Sequence, residues 1–348
     1  MTERWTRRPE GSNWGDFGPD DERGRMNLVT DERVLAAVRE VQVGKRFCLS
    51  LPLDLPGGRL LNARRFPPRR FATDRAGRAN FNFPLAELDP RLTDVVCDDA
   101  VLLCLQYSTQ WDSLAHVGSR FDADGDGEPE TVYYNGWRGG REVLDPHHHP
   151  ERDEFTRHEG NEARRLGIHN MAETGVQGRG VMIDLHAHFG RARQRVGYAE
   201  LERVMRADGV VVEPGDMVCL HTGFAQAIVE MGGDPDPAVL EGSCPVLDGS
   251  DPELQAWVRD SGLAVLIADN YAVEEVPNGP PADARCGASM PLHELCLFKL
   301  GVHLGELWHL TPLAEWLRAN GRYRFLLTAP PLRLPGAVGS PATPVATV

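Results

Sequence analysis

Residues 106–116, QYSTQWDSLAH, gather more groups capable of chemistry than any other stretch of the chain. Asp112 and His116 stand four apart, and two glutamines with the same spacing, Gln106 and Gln110, precede them. Further along, His293 sits near the start of PLHELCLFKLGVHLGELWHL and Glu306 follows thirteen residues later. An aspartate, a histidine and a glutamate brought together suit a divalent cation, because borderline and hard ions accept carboxylate and imidazole ligands. An amide oxygen is a weaker, neutral ligand that manganese tolerates better than zinc. Gln110 is therefore a marginal metal ligand or an orienting hydrogen-bond donor, and Gln106 reads as a strand-end hydrogen-bonding residue. Trp111 and Phe121 are candidates to line a substrate pocket, with core packing as the alternative for each. His221, in CLHTG, ends a buried strand, where α/β proteins tend to put functional groups; a plain hydrogen-bonded strand end is the other reading.

Several familiar motifs fail. DADGDGEPETVY begins like a calcium loop at Asp122, Asp124, Asp126 and Gly127, but its twelfth position is Tyr133, not a bidentate glutamate. An acidic hairpin loop fits better. GVQGRG has the wrong glycine spacing for a dinucleotide fingerprint and precedes a strand. No G-x-S-x-G elbow or P-loop occurs. His147, His148 and His149 lie between prolines in a polar segment that reads as solvated loop. His186 and His188 alternate in DLHAHFG, on one side of a strand or its exit, where a core or interface role is expected.

The elements that must position these groups are legible in outline. TDERVLAAVREV has Thr30 as N-cap, acids in the first turn and helical apolar spacing. RFCLSLPLDLP (46–56) alternates like a strand, and AVLLCLQYST (100–109) reads as an apolar strand leading into the Asp112 motif. Residues 56–95 are rich in Arg, Pro and Gly, which marks loops and a candidate substrate rim. Beyond residue 155, helices over NEARRLGIHNMAE, 198–207 and 251–260 alternate with strands in GVMIDL, DMVCLHTG and GLAVLIADN. That alternation implies an α/β fold with a partly parallel sheet. Residues 1–30 read as an extended arm and 335–348 as a closing segment, on a single domain spanning 1–348.

The 37 basic and 51 acidic residues give a net charge of −14, which argues against a nucleic-acid partner. No apolar run approaches a membrane span, and no apolar secretory segment is seen at the start, so no membrane partner is expected. Seven cysteines without a CxxC, several inside apolar runs, fit a reduced, cytoplasmic protein.

Taken in order, TQWDSLAHVG, GRGVMIDL, EPGDMVCLHTGF, ADNYAVE and GSPATPVA resemble successive blocks of the cyclase family of metal-dependent hydrolases, whose members include kynurenine formamidase and isatin hydrolase. SNWGDFGPDDERGRMNLVTDERVLAAVREVQVGKRFCLSLPL is similar to the N-terminal signature of its longer-chain branch. The resemblance implies a swivelling β/β/α domain with a mixed sheet, in a homodimer or homotetramer. It lays the family's HxxxHxDxxxH motif on Gln106, Gln110, Asp112 and His116, with both early histidines replaced by glutamine. It implies metal ligands at Asp112, His293 and Glu306, Gln110 marginal among them, and His116 as acid–base catalyst. One divalent ion, Mn2+ or Zn2+, would act on a small amide, lactam or lactone. A cyclase or dehydratase, or a metal-free binding protein on the same fold, are the alternatives.

Overall fold

The computed structural model describes residues 4–276 and 287–348. Its centre is a mixed sheet of nine strands. In chain order they are β1 (Arg46–Cys48), β2 (Gln110–Asp112), β3 (Gln177–Asp184), β4 (Met217–His221), β5 (Val265–Ala268), β6 (His303–Glu306), β7 (Arg324–Thr328), β8 (Gly339–Pro341) and β9 (Val345–Thr347). In space they run β1-β9-β7-β3-β4-β5-β6-β2-β8. β3 through β6 are mutually parallel, and the remaining neighbours are antiparallel.

The parallel strands are buried on both faces, which is why they read as unbroken apolar runs. Val181, Ile183, Val218, Leu220 and Leu266 share one cluster with Leu201 and Val204 of a helix α2 (Tyr198–Asp208) and Leu254 and Val258 of a helix α3 (Pro252–Asp260). Met182, Met217, Cys219, Val265 and Ile267, on the alternate positions, pack instead with Trp111, Trp308 and Phe325. Gly180 of β3 lies opposite Phe325 of β7. A Cβ there would come within 2.2 Å of the ring, so no other residue leaves room for it.

The sheet is curled. Seven inter-strand steps of about 4.8 Å would put β8 and β9 about 34 Å apart if it were flat. Only residues 342–344 join them, a reach of about 14 Å. Bonds from the stretch after β1 to the segments flanking β6 and β2 draw the ends together: His309 N–H donates to Leu49 O (2.8 Å), and Leu51 N–H to Thr109 Oγ1 (2.8 Å). The result is a single mixed α/β domain.

Local signals hold at several helices. α1 (Asp31–Val38) starts where Thr30 Oγ1 accepts from Arg33 N–H, and α3 starts at Asp251, whose carboxylate accepts from Glu253 N–H (2.8 Å). Trp14, in the N-terminal segment, is fully buried and donates its indole N–H to Phe298 O (2.7 Å).

Other expectations are corrected. Residues 100–109 are not one buried strand. Asp99–Leu102 pairs with Arg69–Ala72 in a separate two-stranded ribbon with Val101 and Leu102 exposed. The chain then turns, and Thr109 donates its hydroxyl to Leu307 O (2.6 Å) just before β2 begins. The strand expected over 46–56 stops at Cys48 and continues as one bridge from Ser50 to Trp308. The helix expected over 161–173 is confined to Ile168–Glu173, because Leu166 takes φ 63, which no right-handed helix accommodates. Of the two expected places for His186 and His188 the structure shows the strand exit: both sit on a short helix, Leu185–Phe189, directly after β3, which the Asp184 carboxylate caps through Ala187 N–H (3.0 Å).

The acidic stretch after Phe121 joins Ser119–Phe121 to Glu130–Val132 in a hairpin. Asp122, Asp124 and Glu130 approach one another there, with Arg7 paired to Asp122 and Arg138 to Glu130. No described helix is long and apolar enough to cross a membrane.

Candidate active site

β2 lies between β6 and β8, with Gln110 opposite Glu306 and Asp112 opposite Leu304. Side chains alternate along a strand, so Gln110 and Asp112 share a face and Trp111 takes the other. Directly opposed residues of an antiparallel pair are close neighbours, which brings Glu306 to Gln110 and diagonally to Asp112. The third member arrives from a helical turn, Pro291–His293, which runs on as π-helix over Glu294–Leu300. Asp112, His293 and Glu306 are all buried and present ligand atoms within 4.8 Å of one another.

Each group is held in place. Glu274 accepts from the backbone N–H groups of Leu292 (3.0 Å) and His293 (2.9 Å), and meets His293 Nδ1 at 2.9 Å. That directs Nε2 toward Glu306 Oε1, 3.3 Å away. Gln110 Nε2 donates to Glu306 Oε2 (3.0 Å) and approaches Asp112 Oδ1 at 3.5 Å. His116 stands at the edge, partly exposed, with Nε2 3.8 Å from Asp112 Oδ1. Its Nδ1 lies 3.2 Å from Gln106 Nε2. Gln106 packs over Gly339, where a Cβ would come within 2.4 Å of its amide nitrogen.

Burial and mutual charge shift all three groups. Burial, with the charge of Glu306, raises the Asp112 carboxyl above its ordinary range, against the pull of His116 and His293. Burial also works against ionised Glu306, but its hydrogen bond to His293 prevails and the carboxyl is lowered. For His293, burial opposes the charged form, yet Glu274 and Glu306 together hold its pKa at about 10. Asp112 Oδ2 and Gln110 Oε1 are buried without a hydrogen-bond partner. An unpaired buried carboxylate oxygen is costly, and a divalent ion among two carboxylates, an imidazole and an amide oxygen relieves that cost. The donor set fits such an ion.

Two residues absent from the sequence reading belong to this site. Glu274 closes the quoted block ADNYAVE, in the loop that follows β5, and that family-like block was the available signal. Arg65, in the rim loop, donates to Gln106 O. His303 lies near too: its Nδ1 sits 3.0 Å from Asp112 O, and burial pushes its pKa down to about 4.

The expected pocket aromatics do not join the cluster. Trp111 is fully buried on the opposite face of β2, edge-on to Trp308 at 5.0 Å, with its N–H on Ala329 O (2.8 Å). Phe121 packs against Trp14 (6.0 Å) and Phe298 (6.2 Å) in the core. His221, buried at the end of β4, meets Asp184 Oδ1 at 2.7 Å and Thr311 Oγ1 at 2.9 Å. It belongs to a separate polar cluster on the alternate face of the parallel strands, since it shares the side of Met217 and Cys219.

The family model described as "Putative cyclase" matches residues 49–275, about two thirds of the chain. A solved structure described as a novel cyclase is 31% identical, covers 97% of each chain and superposes with a TM-score of 0.72. Isatin hydrolase A from Ralstonia solanacearum shares the fold at 15% identity, covering 91% of this chain and 97% of its own, with a TM-score of 0.54. Isatin hydrolase A from Labrenzia aggregata does so at 13% identity, covering 87% and 93%, with a TM-score of 0.53. No curated protein sequence matches. With its curled mixed sheet and a carboxylate–imidazole cluster beside β2, the chain belongs to the cyclase family.

Proposed function

We infer that this protein is a divalent-metal-dependent hydrolase acting on a small amide, lactam or lactone. The observation that carries the reading is the buried triad Asp112, His293 and Glu306, with Asp112 Oδ2 left unpaired and His116 beside it. Those three residues would hold Mn2+ or Zn2+, with Gln110 as marginal ligand. The ion would supply Lewis-acid polarisation of a carbonyl and lower the pKa of a water.

The protein's own groups account for the rest. His116 takes a proton from the attacking water as its oxygen adds to the carbonyl carbon. It returns that proton to the departing nitrogen or oxygen as the acyl bond breaks, leaving a carboxylate and an amine or alcohol. Gln106 orients the imidazole through Nδ1, and Glu274 fixes the ring of His293, as an outer carboxylate does for a metal-bound histidine.

The test is elemental analysis of protein purified without added metal and again after manganese loading, followed by a panel of N-formyl aromatic amines, lactams and lactones. One ion per chain, lost in Asp112→Ala, together with turnover of a panel member supports the reading. No ion even after loading sinks it. A second reading is favoured by the description of the 31%-identical relative as a cyclase: the same acid–base pair would then catalyse intramolecular condensation with loss of water. Bound metal with uniform inactivity on the panel moves the assignment there. A homodimer or homotetramer forms part of the same proposal, supported by the exposed apolar side chains Phe71, Leu88, Val95 and Val101 around the rim loops.

A further inference from the structure

The histidines between Pro146 and Pro150, which read in the sequence as solvated loop, are given a partner by the fold. His147–His148 pairs antiparallel with His158–Glu159 in a two-stranded ribbon, and His148 stands directly opposite His158. His149 N–H donates to Arg157 O (2.8 Å). The neighbouring pair, His148 and His158, is therefore of the non-hydrogen-bonded kind, whose side chains stand closest. Their Nδ1 atoms lie 3.4 Å apart, with ring centroids separated by 4.8 Å and planes tilted by 36°. Both residues are exposed, and neither takes part in an ion pair among the described residues. The carboxylate of Glu159, on the opposite face of the ribbon, is already taken by His149 (3.2 Å) and Arg152 (2.6 Å).

The 3.4 Å separation discriminates between two uses of the pair. A hydrogen bond donated by nitrogen prefers about 2.9–3.0 Å. Two imidazole nitrogens, each about 2.0–2.1 Å from a tetrahedral ion, stand about 3.3–3.4 Å apart, whereas a square-planar ion brings them to about 2.8–3.0 Å. The spacing is that of tetrahedral ligation, and a pair of imidazoles without a carboxylate favours zinc over manganese.

The tip of the same ribbon grips the loop beside the candidate active site. Glu154 pairs with Arg59 (2.8 Å), and Phe155 packs edge-on against Phe66 with ring centroids 4.7 Å apart. The Arg69 guanidinium lies 4.4 Å from the centre of the Phe155 ring. The loop held in this way includes Arg65, which donates to Gln106 O, and the Gln106 side chain meets His116. A ribbon of two residue pairs is marginally stable by itself, so a cross-link between its strands would fix the tip.

We propose that His148 and His158 bind a zinc-type ion, separate from the triad, and that this ion staples the ribbon whose tip holds residues 59–69. Water completes the tetrahedron. The site does not depend on the hydrolytic reading, because it shares no residue with the triad or His116.

Zinc is titrated against a chromophoric chelator into Asp112→Asn, which removes a carboxylate ligand from the triad. The same titration is made on that protein carrying His148→Ala, His158→Ala or His147→Ala, with the zinc-free melting temperature of each as a check on folding. Asp112→Asn should hold one zinc. Binding should weaken about tenfold or more in both His148→Ala and His158→Ala, at least what loss of an outer partner costs a metal site. His147→Ala, on the other face, should keep it. No zinc uptake, or unchanged affinity in His158→Ala, overturns the proposal. Loss of zinc in His147→Ala but not in His158→Ala also overturns it, since the ion would then belong to the histidine run alone. Trypsin reads the staple: zinc at about ten times its Kd should slow cleavage after Arg152 and Arg157 about tenfold, and leave it unchanged in His158→Ala. Equal cleavage with and without bound zinc overturns the stapling role.

Discussion

Replacing Glu274 by glutamine tests whether the triad is a metal site built on a rigid support. Glu274 makes three contacts, to Leu292 N–H, His293 N–H and His293 Nδ1, all between 2.9 and 3.0 Å. A glutamine keeps the shape but has one acceptor oxygen. Placed to serve His293, it turns its NH2 toward Leu292 N–H and sets two donors face to face. Losing that charge-assisted bond costs roughly 1.5–3 kcal/mol. The imidazole loses the negative partner that fixes its tautomer, and outer-sphere changes of this kind cost about 10- to 100-fold in metal affinity, roughly 1.4–2.8 kcal/mol. The assay is competition for manganese or zinc against a chromophoric chelator, with thermal unfolding of the metal-free protein alongside. Glu274→Gln should lower the metal-free melting temperature by several degrees and weaken metal binding tenfold or more. Unchanged metal affinity in a variant that does melt earlier would refute the argument: Glu274 would then brace the fold without tuning His293.

Asp112→Asn should separate function from stability. Metal binding is expected to disappear, while the metal-free protein melts at or slightly above wild type by about 1 kcal/mol, because a buried carboxyl facing Glu306 is relieved; a large loss of metal-free stability would contradict this. Gln106→Leu removes the contact to His116 Nδ1 and should lower kcat on any panel substrate about tenfold at unchanged metal content, so a variant with normal kcat would show that the contact is idle. Glu213 is held down to about 2 by hydrogen bonds to Arg33 and Arg179, despite some burial, with the charges of Arg179 and Arg324 adding to the effect. Its folded pKa lies below its unfolded value, so its stabilisation is present at neutral pH and is lost as pH falls from about 4.5 toward 2. Because Glu213 is more than a third exposed, screening reduces the contribution to about 1 kcal/mol. Denaturant melts of Glu213→Gln should therefore differ from wild type at pH 7 and converge near pH 2–3, and a constant difference across that range would count against the assignment.

Much of the site was legible as residues and little of it as geometry. Asp112 and His116 stand out within a family-like block, His293 and Glu306 by residue type, and the structure brings all four together. The position of Trp111 was also legible, since a strand's period of two sends the neighbour of Asp112 to the opposite face; proximity in sequence misled where alternation would not have. For His186 and His188 the alternation of DLHAHFG left a strand and its exit both open, and the Asp184 cap decided for a helix at the exit.

The sequence by itself determined the features that neighbours along the chain decide: Thr30 starting α1, Asp251 and Pro252 starting α3, and the apolar runs that become β3, β4 and β5. These depend on capping groups and periodicity within a few residues. Only the tertiary structure decided that Glu274 holds His293, that Gln106 leans on His116 across Gly339, and that Arg65 enters from a loop forty-one residues before Gln106. The reason is register and curl. The sheet closes through residues 342–344, and that closure sets which distant side chains share a face. No local pattern encodes it.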